Sequence, residues 1–253
     1  MLAKGIIFDL GGTLMRFYPP KGNWEDMEKA GGEALINFLT RMGYNLPPDA
    51  LDQTWRAMRE AWVTIGQQPD PQTLTVRYQL ERLLVERWRL TFSHEALAVA
   101  EHAYISGSQV HVRPIDDAVS TLQALRAAGF PLGLISNTMW PGRAHEYDLA
   151  FFGLGEYFDF TLFSSDEQVW KPFPTIFERA VARWGFQPQD VIYVGDSLYF
   201  DVYGGQQANL QTVWIEQPEK WWPPTLDVDN IIPDRTITRV SDLVELLKQG
   251  DLQ

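Results

Sequence analysis

Apolar positions along the chain follow two different periods, and the change of period divides it. Residues 5–8, Gly-Ile-Ile-Phe, are a short continuous apolar run followed by Asp9-Leu10-Gly11-Gly12-Thr13-Leu14. Such a run predicts a buried strand that delivers one carboxylate at its end, followed by backbone with little side chain to obstruct it. Beyond it the pattern turns helical. Leu51, Trp55, Met58, Trp62 and Ile65 step by four and three, and Leu80, Leu84 and Trp88 step by four, so each set is expected to line one helical face, with the tryptophans as core. Helices are predicted near 24–42, 50–65, 73–90 and 94–108, with the proline positions at 19–20 and 114 as hinges.

From residue 114 short apolar runs alternate with helical stretches. Helical patterns at 114–129, 143–153, 174–185 and 199–209 separate strand-like runs at 130–137, 158–165, 190–196 and 211–215. Strands alternating with helices predict a parallel sheet with right-handed crossovers, in which ligands gather beyond the carboxyl ends of the strands. Asp9, Ser136, Asn137 and Asp196 all fall at such ends. The stretch 217–230 reads as an irregular loop, and 231–249 as a closing strand and amphipathic helix. The expected organisation is an α/β domain of residues 1–15 and 112–253, interrupted by an all-helical insertion at 16–111.

Composition narrows the chemistry. With 253 residues, 45% apolar and 21% charged, the chain has ordinary globular usage. The 21 basic against 33 acidic side chains give a net charge of −12, which argues against binding a nucleic-acid backbone. An anionic small molecule stays possible where a local cation, a lysine and backbone N–H groups outweigh distant screened charge. The absence of cysteine removes thiolate chemistry and disulfides. The start Met-Leu-Ala-Lys-Gly-Ile-Ile has no leader pattern, and no apolar stretch reaches the ~18 residues of a membrane span, so a cytoplasmic protein is expected. Oligomeric state is not encoded in any pattern of the sequence.

Four features then stand in fixed order at or just beyond predicted strand ends: Asp9 in "FDLGGTL", Ser136 and Asn137 in "ISN", Lys171 in "KP", and Asp196 with Asp201 in "GDSLYFD". Each alone is a weak signal, because a strand-end aspartate, a Ser-Asn turn or a surface lysine is common. Together and in this order they resemble the four motifs of the haloacid dehalogenase superfamily. The likeness covers nearly all of 5–16 and 110–248, and the helical insertion matches in placement the cap of the subgroup that inserts one after the first strand.

The resemblance implies a Rossmann-like core carrying a helical cap that closes over a compact phosphorylated substrate. It implies Asp9 as the nucleophile that forms an aspartyl-phosphate, and Mg²⁺ held by Asp9, Asp196 and the backbone carbonyl of Gly11. Ser136 and Asn137 would bind phosphate oxygens, Lys171 would neutralise the transferring group, and Asp201 would hold Lys171 or a metal-bound water. Thr13 and Asp201 would stand behind the ligands. These roles agree with the chemistry, since phosphoryl transfer needs in-line attack and neutralisation of spreading negative charge, and Mg²⁺ prefers one or two carboxylates plus other oxygens.

One position departs from the family pattern. Gly11 stands where phosphatases and mutases of the family place a second aspartate, which protonates the leaving group and then activates water. A glycine keeps the carbonyl and loses the proton donor, a loss on the order of 10²–10⁴ in rate unless replaced. Replacements would be a water, a substrate with a good leaving group, or a cap residue such as His94, His102 or His111. Three functions compete: a Mg²⁺-dependent phosphatase, a weak or non-catalytic binding relative, and a 2-haloacid dehalogenase. The dehalogenase branch has a tyrosine at the Gly11 position and lacks the metal-binding fourth motif that is intact here.

Overall fold

The computed structural model describes residues 3–64, 71–216 and 230–249. Ile65 and residues 217–229 of the loop expected over 217–230 lie outside the described residues. The chain divides into two compact units, Met1–Arg16 with Arg113–Asn137 and His145–Gln253, and Phe17–Val112 with Thr138–Ala144.

The first unit is built on a six-stranded sheet. Its strands are β1 (Gly5–Phe8), β4 (Leu132–Ser136), β5 (Phe160–Phe163), β6 (Val191–Gly195), β7 (Gln211–Ile215) and β8 (Arg235–Ile237), in the order β5-β4-β1-β6-β7-β8. Every neighbouring pair is parallel, with Ile7 of β1 opposite Gly133 on one side and Tyr193 on the other. All residues of β1, β4 and β6 are buried. Continuous apolar runs are what a parallel sheet covered on both faces requires. Helices Pro174–Ala182 and Ala118–Ala127 supply part of that cover, the first placing Ile176, Phe177, Ala180 and Val181 in one cluster with Ile7, Ile135, Leu162 and Tyr193. The chain builds β4 and β5 on one side of β1 and β6 to β8 on the other, so the order reverses at β1. That reversal opens a crevice at the carboxyl ends.

Two further strands, β2 (Met15–Arg16) and β3 (Arg113–Pro114), pair antiparallel with Met15 opposite Pro114. They clasp the chain where it leaves the sheet unit and where it returns. The sequence pattern did not reveal them, because two-residue strands carry no period.

In the helical unit, helix Trp24–Arg41 begins at Asn23, whose side chain accepts the Glu25 N–H at 2.9 Å while Asp26 accepts the Asn23 N–H at 2.8 Å. Helix His94–Ser108 is capped by Ser93 and packs closely on it. At the crossing a Cβ on Gly107 would strike the Ala30 carbonyl and Ala34, so the approach depends on that glycine.

Helix Ala50–Thr64 departs from the expected stripe. Its buried line is Ala50, Thr54, Met58 and Ala61, while Trp55 and Trp62 are half-buried and Leu51 is exposed. Small residues let the helix approach its neighbours, and the bulky ones are displaced to its flank. The single helix expected over 73–90 is three pieces: a turn at Pro71–Leu74, an α-helix at Val76–Leu80 capped by Thr75, and a π-helix at Glu81–Arg87. Leu80 and Leu84 are fully buried, but the widened turn leaves Trp88 half-buried, its indole N–H donating to Gln53 at 2.7 Å. Segment 138–144 joins this unit through the Val76 N–H donating to the Met139 carbonyl and the Gln109 amide donating to the Ala144 carbonyl. Among the described residues no helix is long and apolar enough to cross a membrane.

Candidate active site

Asp9 leaves the end of β1 with its N–H donating to the Val194 carbonyl of β6 at 2.9 Å, and its side chain is buried. The chain then turns back within a few residues. Leu14 and Met15 both donate to the Leu10 carbonyl, and Gly12 donates to the Met15 carbonyl at 2.8 Å. Gly12 has φ 86°, and a Cβ there would collide with the Asp196 carboxylate. Glycine is needed at that position twice over, for the left-handed backbone and for the approach of Asp196. Gly11 is not among the left-handed glycines.

The crevice brings Asp9, Asp196 and Asp201 together, with one carboxylate oxygen from each inside a 4.8 Å group. Lys171 stands among them, 2% exposed, its ammonium donating at 2.6 Å to Asp9 Oδ1 and at 2.6 Å to Asp201 Oδ1. The second oxygen of Asp201 accepts the Ser197 N–H at 2.9 Å. Asp196 is held through its backbone, where the Trp214 indole donates to its carbonyl at 2.8 Å.

Burial sets the charge of these groups. It pushes the Asp9 carboxyl up to about 6, against the lowering pull of Lys171 and with further push from Asp201. Asp196 lies well above the usual carboxylate range, first from burial and then from the charges of Asp9 and Asp201. Burial alone would lower Lys171, but Asp201 and Asp9 more than offset it and hold the lysine charged. Ionising all three carboxylates around the one ammonium would leave two negative charges in excess, and the raised Asp9 and Asp196 carboxyls reflect that cost. A hard divalent cation would neutralise that excess, and oxygen donors are the ligands such an ion takes. Since both Asp201 oxygens already have protein partners, Asp9 and Asp196 are the carboxylates best able to hold it.

Ser136 is buried at the end of β4, its hydroxyl 3.5 Å from the Asn137 carbonyl. Asn137 faces Lys171 rather than open space. Its amide oxygen accepts the Lys171 N–H at 2.8 Å, and its amide nitrogen donates to the Lys171 carbonyl at 3.0 Å. The geometry therefore gives Asn137 a task the sequence reading did not assign, fixing the backbone that carries the lysine. Thr13 is fully buried, and its hydroxyl finds no hydrogen-bond partner among the described residues.

His94 and His102 lie exposed on helix His94–Ser108 and His111 follows it, all three in the helical unit. His145 belongs to the sheet unit, where it is buried, stacked on Phe163 and kept neutral, its pKa pushed down to about 3 by burial. Two site contributors escaped the sequence reading: Trp214, and Tyr193, whose hydroxyl meets Lys171. A tyrosine inside an otherwise aliphatic buried strand was the available signal, because a buried phenol needs a partner.

A model of the haloacid dehalogenase-like hydrolase family matches residues 3–209. The chain belongs to that family. As such a hydrolase it is similar to glyceraldehyde 3-phosphate phosphatase of Pyrococcus furiosus, 27% identical over 247 residues that cover 97% of this chain and 93% of that protein. It is also similar to (S)-2-haloacid dehalogenase of Pseudomonas putida, 24% identical over 220 residues covering 85% of each. Among solved structures, the 2-haloacid dehalogenase of Pseudomonas syringae superposes with a TM-score of 0.71 at 24% identity, over 99% of this chain and 100% of that one. That superposition establishes the fold: a parallel α/β sheet of the haloacid dehalogenase type.

Proposed function

We propose that this hydrolase is a Mg²⁺-dependent phosphatase of a small phosphorylated metabolite, working through an aspartyl-phosphate on Asp9 in the cytoplasm. The observation that carries the reading is the charge pattern of the crevice: three clustered carboxylates with one buried lysine bonded to two of them. A site that only had to displace a halide would gain nothing from an excess of negative charge beside its nucleophile. The similarity to a protein named as a phosphatase over nearly its whole length points the same way.

Asp9 attacks phosphorus in line, the bond from phosphorus to the ester oxygen breaks with its electron pair staying on that oxygen, and the alkoxide takes a proton from water to depart as the alcohol. Water then attacks the aspartyl-phosphate, releasing phosphate and restoring Asp9. Lys171 keeps Asp9 oriented and offsets its charge, Ser136 offers a hydroxyl to a phosphate oxygen, and Asn137 holds the Lys171 backbone. Mg²⁺, bound by Asp9, Asp196 and the Gly11 carbonyl, would supply neutralisation of the phosphoryl oxygens. Asp201 and Thr13 support this arrangement from behind.

Gly11 leaves the departing alcohol without a proton donor at the family position. Hydrolysis should then favour good leaving groups, aryl phosphates over alkyl phosphates, and Gly11→Asp should speed alkyl phosphates by up to about 10²-fold with little gain on aryl ones. The left-handed turn belongs to Gly12, so an aspartate at 11 meets no such backbone penalty. Gly11 also favours a second reading, a binding relative that retains a phosphorylated ligand without turnover. A screen of phosphate esters with Mg²⁺, run beside Asp9→Asn, separates them. Turnover that is lost on chelation, and reduced on the order of 10⁴-fold or more by Asp9→Asn, is the expected result; turnover that survives chelation would remove the phosphatase mechanism.

A further inference from the structure

An ammonium has three N–H bonds to give, and all three on Lys171 meet named acceptors. Two go to Asp9 and Asp201, and the third goes to the Tyr193 hydroxyl at 2.9 Å. Tyr193 lies within β6 and is fully buried. Its hydroxyl also sits 3.2 Å from Asp201 Oδ1 and 3.4 Å from the Ile135 carbonyl. Lysine can only donate, so the phenol oxygen accepts from it and passes its single proton to Asp201 or Ile135. The ring has no freedom to look elsewhere, being held edge-on to Phe177 with centroids 4.9 Å apart at 72°.

We propose that Tyr193 is a positioning residue which, acting through Lys171, fixes the ammonium between Asp9 and Asp201 and thereby the orientation of the Asp9 carboxylate. Lysine is a flexible four-carbon stem carrying a point charge. Two carboxylate partners leave its third N–H free to swing, whereas three partners, from the end of β1, from within β6 and from the helical turn Leu198–Tyr203, define one geometry. In-line attack is sensitive to misplacement of the nucleophile by a fraction of an ångström. The kinetic part of this proposal rests on the phosphatase reading; the structural part does not.

The test is Tyr193→Phe, which deletes one oxygen and keeps the ring, beside Ile192→Val, a methyl deletion in the same strand that leaves the phenol in place. Two readouts are taken: hydrolysis of p-nitrophenyl phosphate with Mg²⁺, and the ¹H–¹⁵N signal of the Lys171 ammonium, assigned by its loss in Lys171→Arg. Wild type should give a slowly exchanging ammonium signal, because all three protons are bonded and shielded from water. Tyr193→Phe should broaden or erase that signal and lower kcat about 10-fold at unchanged KM. Ile192→Val should lower the melting temperature while leaving both readouts intact. Absence of a protected signal in the wild type overturns the proposal without recourse to any variant. So does a Tyr193→Phe protein that keeps both the signal and kcat, or one that loses activity only in step with Ile192→Val. A wild type that hydrolyses nothing, combined with a signal that vanishes in Tyr193→Phe, removes the phosphatase reading and upholds the positioning role.

Discussion

Asp9 in the sheet unit and Glu28 in the helical unit are both buried acids, and the chain accommodates them in different ways. In the sheet unit Asp9 and Asp201 share one buried lysine, and Asp201 adds a backbone N–H and the Tyr193 hydroxyl. In the helical unit Glu28 sits buried on helix Trp24–Arg41, where burial pushes its carboxyl up to about 8, with Arg59 pulling it down and Glu25 pushing it further up. Arg59 itself bonds to Glu25 at 2.9 Å. Tyr104 is fully buried too, and its hydroxyl is raised by burial and by the charge of Glu28. Asp9 and Asp201 of the sheet unit thus share a resident cation, whereas Glu28 is left protonated at neutral pH; the helical unit's other buried glutamate, Glu101, has a cation of its own in Arg77 at 2.9 Å.

The largest effect should come from removing the cation that makes the sheet site what it is. Lys171→Ala leaves Asp9 and Asp201 buried without their shared partner, and should cost about 3–5 kcal/mol of stability besides slowing turnover. Denaturant unfolding with and without Mg²⁺ checks this, and Mg²⁺ should restore part of the loss, since the metal carries the same sign of charge. An unchanged midpoint would dissolve the contrast between the two buried acids.

A second effect, graded with pH, tests the other side. For Glu28 the native pKa of about 8 exceeds the ordinary 4.5, so between those values the folded chain holds a proton that the unfolded chain has released. Stability must therefore fall as pH rises through that window, by at most about 1.4 kcal/mol per pH unit. Asp9 adds a slope of the same sign between 3.8 and about 6 in metal-free protein. Glu28→Gln should match wild type near pH 5 and become progressively more stable than it up to pH 8, where the difference levels off. Melting temperatures of the two proteins across that range, in chelator, decide it. Parallel curves would mean that Glu28 is ionised in the folded protein and would remove the contrast.

How far the site could be read from sequence follows from what each residue needs. Asp9, Lys171, Asp196 and Asp201 were legible because they are polar residues at the ends of apolar runs, and the order of those runs already implied a common edge of one sheet. Ser136 fell at the expected place for the same reason. Asn137 was expected to bind phosphate oxygens, whereas its pairing with the Lys171 backbone was not legible, since it joins positions far apart in the chain. The stripe on helix Ala50–Thr64 misled because periodicity reports which residues share a face and not which face is covered. Met58 was buried as expected, but Leu51 stays 37% exposed at the edge of the contact, reaching Gly32 only with its tip.

By itself the sequence determined the alternation of strands and helices, the parallel sheet with its helical insertion, and the positions at which carboxylates and a lysine would emerge. These follow from local periods and from the handedness of crossovers, both written in neighbouring residues. Only the tertiary structure decided which of those charges touch. It assigned the ammonium of Lys171 to Asp9, Asp201 and Tyr193, gave Asn137 to the lysine backbone, and set Gly12 against Asp196. Such pairings depend on side-chain reach and sheet register across many residues of separation, and no local pattern carries that information.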